Sequence, residues 1–123
     1  MEVILDTNFI LECIKNKIDL SDLQLYGKII IPIQSIKELD FISRDKRKSI
    51  KDKNNAIIAL KIIELKNFSL IDLKKEKVDE GIIDYVKNKK DVIIATLDRE
   101  LKNKISDLCK ILSIRNKKKI VLL

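Results

Sequence analysis

Three short runs of apolar residues constrain the fold of this chain more than any other feature. They lie at residues 3–5, 29–31 and 92–95, and none of them alternates with polar residues. A strand that is covered by helices on both faces needs such a continuous run, whereas a strand with one wet face alternates. Helical spacing of apolar residues follows each run. This order predicts a parallel sheet between two helical layers, joined by right-handed crossovers.

Weaker patterns complete the predicted domain. Further strands are expected near residues 69–73, 110–114 and 120–123, and a long helix is expected at about 55–66. Ser21 and Gln24 predict a capping box for a short helix, and Pro32 predicts the first position of the helix after the second strand. A length of 123 residues suits one domain. Residues 1–123 are therefore expected to form a single α/β domain with a mainly parallel central sheet.

The charge balance favours a polyanionic partner. Lys and Arg number 26 and Asp and Glu number 19, so the formal net charge is +7. Nucleic acid is the leading candidate for such a basic chain. A lysine-rich surface that only keeps the protein in solution explains the charge equally well, so the charge needs support from chemistry.

No targeting or membrane signal is apparent in the sequence. The N-terminus lacks the basic region and the long apolar core of a signal peptide. No apolar run approaches the roughly 18 residues of a membrane span. The protein is therefore expected to be soluble and cytoplasmic, without a membrane partner.

Four acids lie where the predicted elements begin or end. Asp6 and Asp98 each follow an apolar strand, Asp79 starts a helix, and Glu38 lies on the helix after the second strand. Ligands of parallel sheets bind outside the carboxyl ends of the strands. Carboxylates gathered there without a countercharge would repel one another, so such a cluster is expected to bind a cation. Oxygen ligands suit Mg²⁺ or Mn²⁺ better than zinc.

The chain has no histidine, which narrows the chemistry. Without an imidazole as general base, a hydrolase built on these acids would rely on metal ions to acidify a water and to neutralise charge on a phosphate. Metal-assisted phosphodiester hydrolysis agrees with both the acids and the basic surface.

Each acid also has a purely structural interpretation. Asp is a preferred N-cap residue, so Asp6, Asp79 and Asp98 each fit the start of a helix. Glu38 fits a capping box with Ser35. For any one acid taken singly, capping is the commoner role.

Four segments resemble the motifs of PIN-domain (PilT N-terminus) ribonucleases, and together they extend over nearly the whole chain. They are LDTNF at residues 5–9, SIKEL at 35–39, VDEGII at 78–83 and ATLDRELK at 95–102. The last segment is most similar to the archaeal and eukaryotic ribosomal-RNA-processing branch, and less similar to the VapC-type toxins. Their occurrence in order, at the expected element boundaries, makes the resemblance fairly specific.

The resemblance implies a three-layer α/β/α, PIN-like fold and a divalent-metal-dependent endoribonuclease acting in rRNA processing. The implied cofactor is Mg²⁺ or Mn²⁺. The implied catalytic and metal-binding acids are Asp6, Glu38, Asp79 and Asp98. Where the rRNA-processing branch usually has paired Asp residues, this chain has Asp79 followed by Glu80, which leaves open which of these two contacts the metal.

Other residues receive supporting roles from the same resemblance. Thr7, Asn8 and Thr96 would orient the acids, with ordinary turn and capping roles as the alternative. The RNA phosphates would be contacted by basic residues of the segment 43–53 and beside Asp98: Arg44, Arg47, Lys48 and Arg99, with Lys46, Lys51 and Lys53 nearby. Few aromatic residues are available for base stacking, so backbone recognition is favoured. A second copy of the chain, a ribosome-assembly factor and an antitoxin stay open as protein partners.

Three alternatives to rRNA processing stay open from the sequence. The chain fits a VapC-type toxin ribonuclease, or a catalytically weak PIN domain that binds RNA or a ribosome-assembly partner without cutting it. The presence of all four acids argues for activity. A phosphatase or receiver-like α/β domain also places acids at strand ends, but the basic balance and the lack of a nucleophile motif count against it.

Overall fold

The computed structural model describes residues 1–89 and 91–123. Within these ranges the chain forms six strands, five α-helices and one short 3₁₀ helix at Leu20–Leu25. The strands are β1 (Glu2–Leu5), β2 (Lys28–Pro32), β3 (Ser69–Ile71), β4 (Val92–Ala95), β5 (Lys110–Arg115) and β6 (Lys119–Leu122). The helices are α1 (Thr7–Lys15), α2 (Ile33–Arg44), α3 (Ile50–Leu65), α4 (Val78–Lys87) and α5 (Arg99–Ile105).

All six strands form one sheet in the order β3-β2-β1-β4-β5-β6. Every neighbouring pair is parallel except β5 and β6, which are antiparallel. The predicted mainly parallel α/β fold is therefore confirmed. The chain first winds outward from β1 to β2 and β3, and then returns to the other side of β1 as β4. This reversal creates a topological switch point between β1 and β4, where parallel sheets bind ligands.

Helices cover both faces of the sheet, as the continuous apolar strands predicted. Successive residues of β1 point to opposite faces. Val3 and Leu5 pack with the buried side chains of α1, α2 and α3, whereas Ile4 packs with those of α4 and α5. Because β1 lies between two apolar layers, its three apolar residues are fully buried.

The register of the central strands brings their carboxyl ends to one edge. Leu5 pairs with Ala95, and Ala95 pairs with Leu112. The backbone contact continues past the strands, because the Asp6 N–H donates to the Ala95 carbonyl at 2.9 Å and the Thr96 N–H donates to the Leu112 carbonyl at 3.2 Å. The residues that follow β1 and β4 therefore lie next to each other, and Thr96 also lies beside the middle of β5.

Two helix starts differ from the sequence prediction: one capping residue was not recognised and another was misassigned. The helix expected from about residue 55 begins at Ile50, where the Ser49 hydroxyl accepts a hydrogen bond from the Asp52 N–H at 3.1 Å. The basic composition of this segment concealed that cap. The short helix is capped by Asp19 and not by Ser21, whose own N–H donates to Asp19 at 2.9 Å.

The start of α2 also corrects the sequence interpretation. Pro32 is the last residue of β2 and lies just before the helix, which begins at Ile33. Ser35 is then the third helical residue, so it cannot cap α2. The predicted capping box with Glu38 is wrong, and the buried Ser35 hydroxyl has no hydrogen-bond partner among the described residues.

The helices of the described ranges have 16 residues at most. None of them combines the length and the apolar character that a membrane crossing requires.

Candidate functional site

A cleft of about 350 Å³ opens at the carboxyl edge of the sheet and is surrounded by acids. We call it the acidic cleft; it is lined by Asp6, Asn8, Glu38, Glu76, Lys77, Val78, Asp79 and Asp98. Five of these eight residues carry a carboxylate and one carries an ammonium group. A chain with a net charge of +7 thus concentrates negative charge at this place. The four acids singled out from the sequence all line the cleft.

Asp6 is the first residue after β1 and caps the N-terminus of α1. Its carboxylate accepts hydrogen bonds from the Thr7 N–H and from the Thr96 hydroxyl, both at 2.8 Å. Burial raises the pKa of Asp6, while these two hydrogen bonds lower it and the charges of Asp98 and Asp79 raise it further. The protein therefore holds a carboxylate in an environment that disfavours its negative charge.

Thr96 links the ends of β1 and β4. Its buried hydroxyl donates to Asp6 and accepts a hydrogen bond from the Asp98 N–H at 3.1 Å. Asp98 in turn caps α5, accepting from the N–H groups of Glu100 at 2.9 Å and Leu101 at 3.3 Å. One hydroxyl thus fixes the position of Asp6 relative to the turn that carries Asp98.

Glu38 faces the same cleft from the second turn of α2. Burial raises the pKa of its carboxyl group, and the charges of Asp6 and Asp79 act in the same direction. The nearby Thr7 hydroxyl lowers the pKa of Glu38. This hydroxyl is buried, and it forms no hydrogen bond of good geometry with any described residue. Thr7 therefore has unused hydrogen-bonding capacity beside two cleft acids.

Asp79 and Glu80 occupy different positions with respect to the cleft. Both lie in the first turn of α4, but Asp79 lines the cleft and Glu80 does not. Lys77 occupies the N-cap position of α4, and Asp79 is the second residue of the helix. The interpretation of Asp79 as an N-cap is therefore wrong. Its carboxylate accepts from the Glu80 N–H at 2.9 Å.

The carboxylates share the cleft without forming a closed cage. Among residues 1–89 and 91–123, no three acidic or cysteine side chains lie close enough together to hold a metal ion. Asp6, Asp79 and Asp98 are each drawn toward backbone N–H groups at the start of their own helices. The capping interpretation therefore holds for Asp6 and Asp98, and it does not exclude a ligand, because a carboxylate has about four lone-pair sites.

The structure adds three residues that the sequence analysis missed: Gln34, Glu76 and Lys77. Glu76 and Lys77 line the acidic cleft, and their basic surroundings gave no signal of an acidic site. The buried amide of Gln34 donates to Asp72 at 2.9 Å and accepts from the Leu73 N–H at 3.2 Å. Gln34 lies one turn before Glu38, so it ties the segment that leads to the cleft onto α2.

Replacing Gln34 with Leu is expected to loosen that segment. The buried Leu73 N–H would lose its acceptor, and an unsatisfied buried donor costs about 1–3 kcal/mol of stability. Urea unfolding measures this loss, and limited proteolysis locates the opened segment. Gln24→Leu is the matched control, because Gln24 is exposed. Equal stability of the two variants would contradict this role for Gln34.

The basic residues predicted to contact RNA lie in several environments. Arg44 pairs with Asp40 at 3.3 Å, and Arg47 pairs with Asp45 at 3.0 Å. Lys48 lines a separate cleft of about 240 Å³ that adjoins the acidic cleft through Asn8. An exposed ion pair contributes little to stability, so Arg44 can exchange Asp40 for a phosphate. The guanidinium group of Arg47 is also exposed, but its partner Asp45 is only 7% exposed.

Comparisons with known proteins point to one family. Residues 3–117 match the family model described as a PIN-like domain, and this range contains every acid of the cleft. Ribonuclease VapC4 of Methanocaldococcus jannaschii is 31% identical over 109 residues, which cover 86% of this chain and 83% of that protein. The solved structure of the PIN domain endonuclease Utp24 matches with a TM-score of 0.75 and 32% identity, covering 98% of this chain and 90% of that one.

Proposed function

Because the chain belongs to the family of PIN-like domains, as its four motifs predicted, we propose that it is an endoribonuclease that hydrolyses RNA phosphodiester bonds with the help of a divalent metal ion. The acidic cleft is the observation that carries this proposal. Five carboxylates face one opening at the switch point of the sheet, in a protein whose net charge is +7. Such a charge distribution combines attraction of a polyanion with a site for a cation.

The donor set of the cleft fits Mg²⁺ or Mn²⁺. All its acidic ligands are oxygens, and the chain contains no histidine. Mg²⁺ usually keeps several waters and is bound through one or two carboxylates together with substrate phosphates. An open cleft, in which no three acids among the described residues form a cage, suits such a hydrated ion. Of the four acids Asp6, Glu38, Asp79 and Asp98, one or two would contact the ion directly and the others would contact its waters. When bound, the ion would acidify a water and offset the charge that develops on the phosphate.

The residues around these acids act by positioning them. Thr96 holds Asp6 beside Asp98, and the start of α1 directs the Asp6 carboxylate through the Thr7 N–H. Asn8 lines the opening and can donate its amide hydrogens to a phosphate oxygen. Since the chain has no imidazole, proton transfer falls to carboxylates and water.

Millimolar Mn²⁺ or Mg²⁺ is expected to raise the melting temperature of the metal-free protein. A ligand that binds only the folded state adds about 2.7 kcal/mol at a free concentration 100 times its Kd. Thermal melts with each ion measure the shift, and Ca²⁺ is expected to support binding better than cleavage.

Two variants make the melts specific to the cleft. Asp98→Asn should reduce the shift, while Asp22→Asn, at an exposed acid on the 3₁₀ helix, should keep it. If melting is unchanged by every ion under conditions where RNA is cut, the protein has no direct metal site.

The biological setting of the cleavage has two candidates. The fourth motif, which resembles the ribosomal-RNA-processing branch of the family, favours rRNA processing. The similarity to the ribonuclease VapC4 supports the VapC-type alternative. For that alternative, the family resemblance implies a toxin role with an antitoxin as the partner. Cleavage products mapped on total RNA separate the two settings: one or a few sites in a ribosomal precursor indicate processing, whereas growth arrest on expression with cuts in mature RNA indicates a toxin.

A further inference from the structure

Three cationic side chains lie beside the Asp98 end of the acidic cleft without acidic partners. They are Arg99 and Lys102 on α5 and Arg115 at the end of β5, and we call them the basic cluster. Within the described part of the chain, none of the three is in an ion pair with a carboxylate. By contrast, Arg44 and Arg47 each have an aspartate partner.

The geometry of two elements brings these cations together. Arg99 and Lys102 are three residues apart on a helix, so they share one face of α5. Ser113 and Arg115 are two residues apart on a strand, so they share one face of β5. The Lys102 ammonium donates a hydrogen bond to the Ser113 hydroxyl at 2.7 Å, which joins the two faces. Burial lowers the pKa of Lys102, and the charges of Arg99 and Arg115 lower it further.

The basic cluster adjoins the acidic cleft through the backbone. The Thr96 N–H donates to the carbonyl of Leu112, the residue just before Ser113. The Thr96 hydroxyl in turn binds Asp6 and accepts from the Asp98 N–H. A nucleic-acid strand that leaves the acidic cleft on the Asp98 side therefore reaches the basic cluster next.

The chemistry of the basic cluster fits one phosphate group. Like charges held together disfavour one another, and an anion between them removes that penalty. Arg guanidinium groups bind phosphate oxygens through paired N–H donors. Ser113 is buried and accepts a hydrogen bond from Lys102, so it fixes the position of the ammonium group beside the two arginines.

We propose that Arg99, Lys102, Ser113 and Arg115 form a subsite that binds a backbone phosphate of the RNA next to the phosphate cleaved in the acidic cleft. This inference rests on the proposed ribonuclease function, because it takes RNA as the ligand. It assigns the cluster to substrate positioning, whereas the acids carry out the reaction.

The test measures binding of a labelled single-stranded RNA in EDTA at several salt concentrations. A variant with Arg99→Gln and Arg115→Gln together should bind more weakly. The slope of log K against log salt is negative, and in this variant its magnitude should be smaller by about 0.7, the value for one phosphate contact with a single strand. Lys104→Gln is the control, because Lys104 lies on the same helix but pairs with Glu100 at 3.4 Å. A double variant with the same slope as this control overturns the subsite.

Lys102→Gln adds a second measurement that does not depend on the arginines. It should raise KM for RNA cleavage in Mn²⁺ and leave kcat at the value of the Lys104→Gln control, because a neighbouring phosphate is bound in both the ground state and the transition state. A lower kcat with unchanged KM would overturn the positioning role. If Lys102→Gln does not fold, the exposed arginine pair still decides the proposal.

The RNA-binding measurement in EDTA tests this inference independently of the proposed function. If the wild-type protein cuts no RNA in Mn²⁺, but the salt dependence of RNA binding is shallower in the arginine variant, the phosphate subsite is supported and the ribonuclease function is contradicted. A wild-type protein that cuts RNA, while the arginine variant matches the Lys104→Gln control in slope and KM, would overturn the subsite alone.

Discussion

Asp6→Asn is expected to lower RNA cleavage by more than about 100-fold while the protein still folds, because residues that only support a metal ligand already contribute 10- to 100-fold. Asn caps a helix about as well as Asp, so α1 should still form. Its side-chain oxygen can accept from the Thr7 N–H, and its amide can donate to Thr96. The variant loses the negative charge that a cation would need.

The pH dependence of stability gives the same variant a second signature. The pKa of Asp6 is raised in the folded protein, mainly by burial, so its ionised form disfavours folding above that pKa. This unfavourable contribution disappears as the pH falls through the folded pKa toward the unfolded value near 3.8. The stability of wild type relative to Asp6→Asn should therefore improve from pH 7 toward pH 4 in urea unfolding without metal.

Asp19→Asn is the matched control for both signatures. Asp19 also caps a helix, but it is exposed and lies outside the acidic cleft. Asp98→Asn should behave like Asp6→Asn in cleavage, because Asp98 combines a cap with a place in the same cleft. Full activity of both cleft variants would exclude the cleft as the nuclease site.

Asp79→Asn is expected to lose cleavage by more than about 100-fold for the same reason, whereas Glu80→Gln should stay close to the wild-type rate. The two acids are adjacent in α4, yet Asp79 alone of the pair lines the acidic cleft. Asp79 also has an electrostatic effect on Asp6 and Glu38, whose pKa values its charge raises. Single-turnover cleavage in Mn²⁺, with saturating ion, measures both variants under conditions that do not depend on product release.

Titration of each variant with Mn²⁺, followed by the increase in stability, distinguishes a weakened ion site from a lost one. Asp79→Asn should need more ion for half-maximal stabilisation, and Glu80→Gln should need the same amount as wild type. A large loss in Glu80→Gln with an active Asp79→Asn would assign the metal contact to Glu80 and would imply that the first turn of α4 rotates when an ion binds.

The sheet and the positions of the acids were predictable because they depend on local, periodic patterns. Continuous apolar runs identified the buried strands, and parallel order required their carboxyl ends to meet at one edge. The motif residues around Asp6 and Asp98 therefore led to the correct edge. Capping was harder to assign: α3 begins five residues before the expected position at 55, since the cap at Ser49 lies in a segment without apolar periodicity.

The amino-acid sequence by itself determined the class of fold, the family and four of the five cleft acids, since these depend on apolar runs and short motifs within the chain. Only the tertiary structure decided which polar groups meet. The Gln34 contact with Asp72 joins residues 38 apart, and the Thr96 contact with Asp6 joins residues 90 apart. The pairing of Lys102 with Ser113 depends on how α5 packs over β5. No local sequence pattern encodes such contacts, because they form between residues that are far apart in the chain. Two such polar side chains can meet only after packing of the apolar layers has fixed the distance between the side chains.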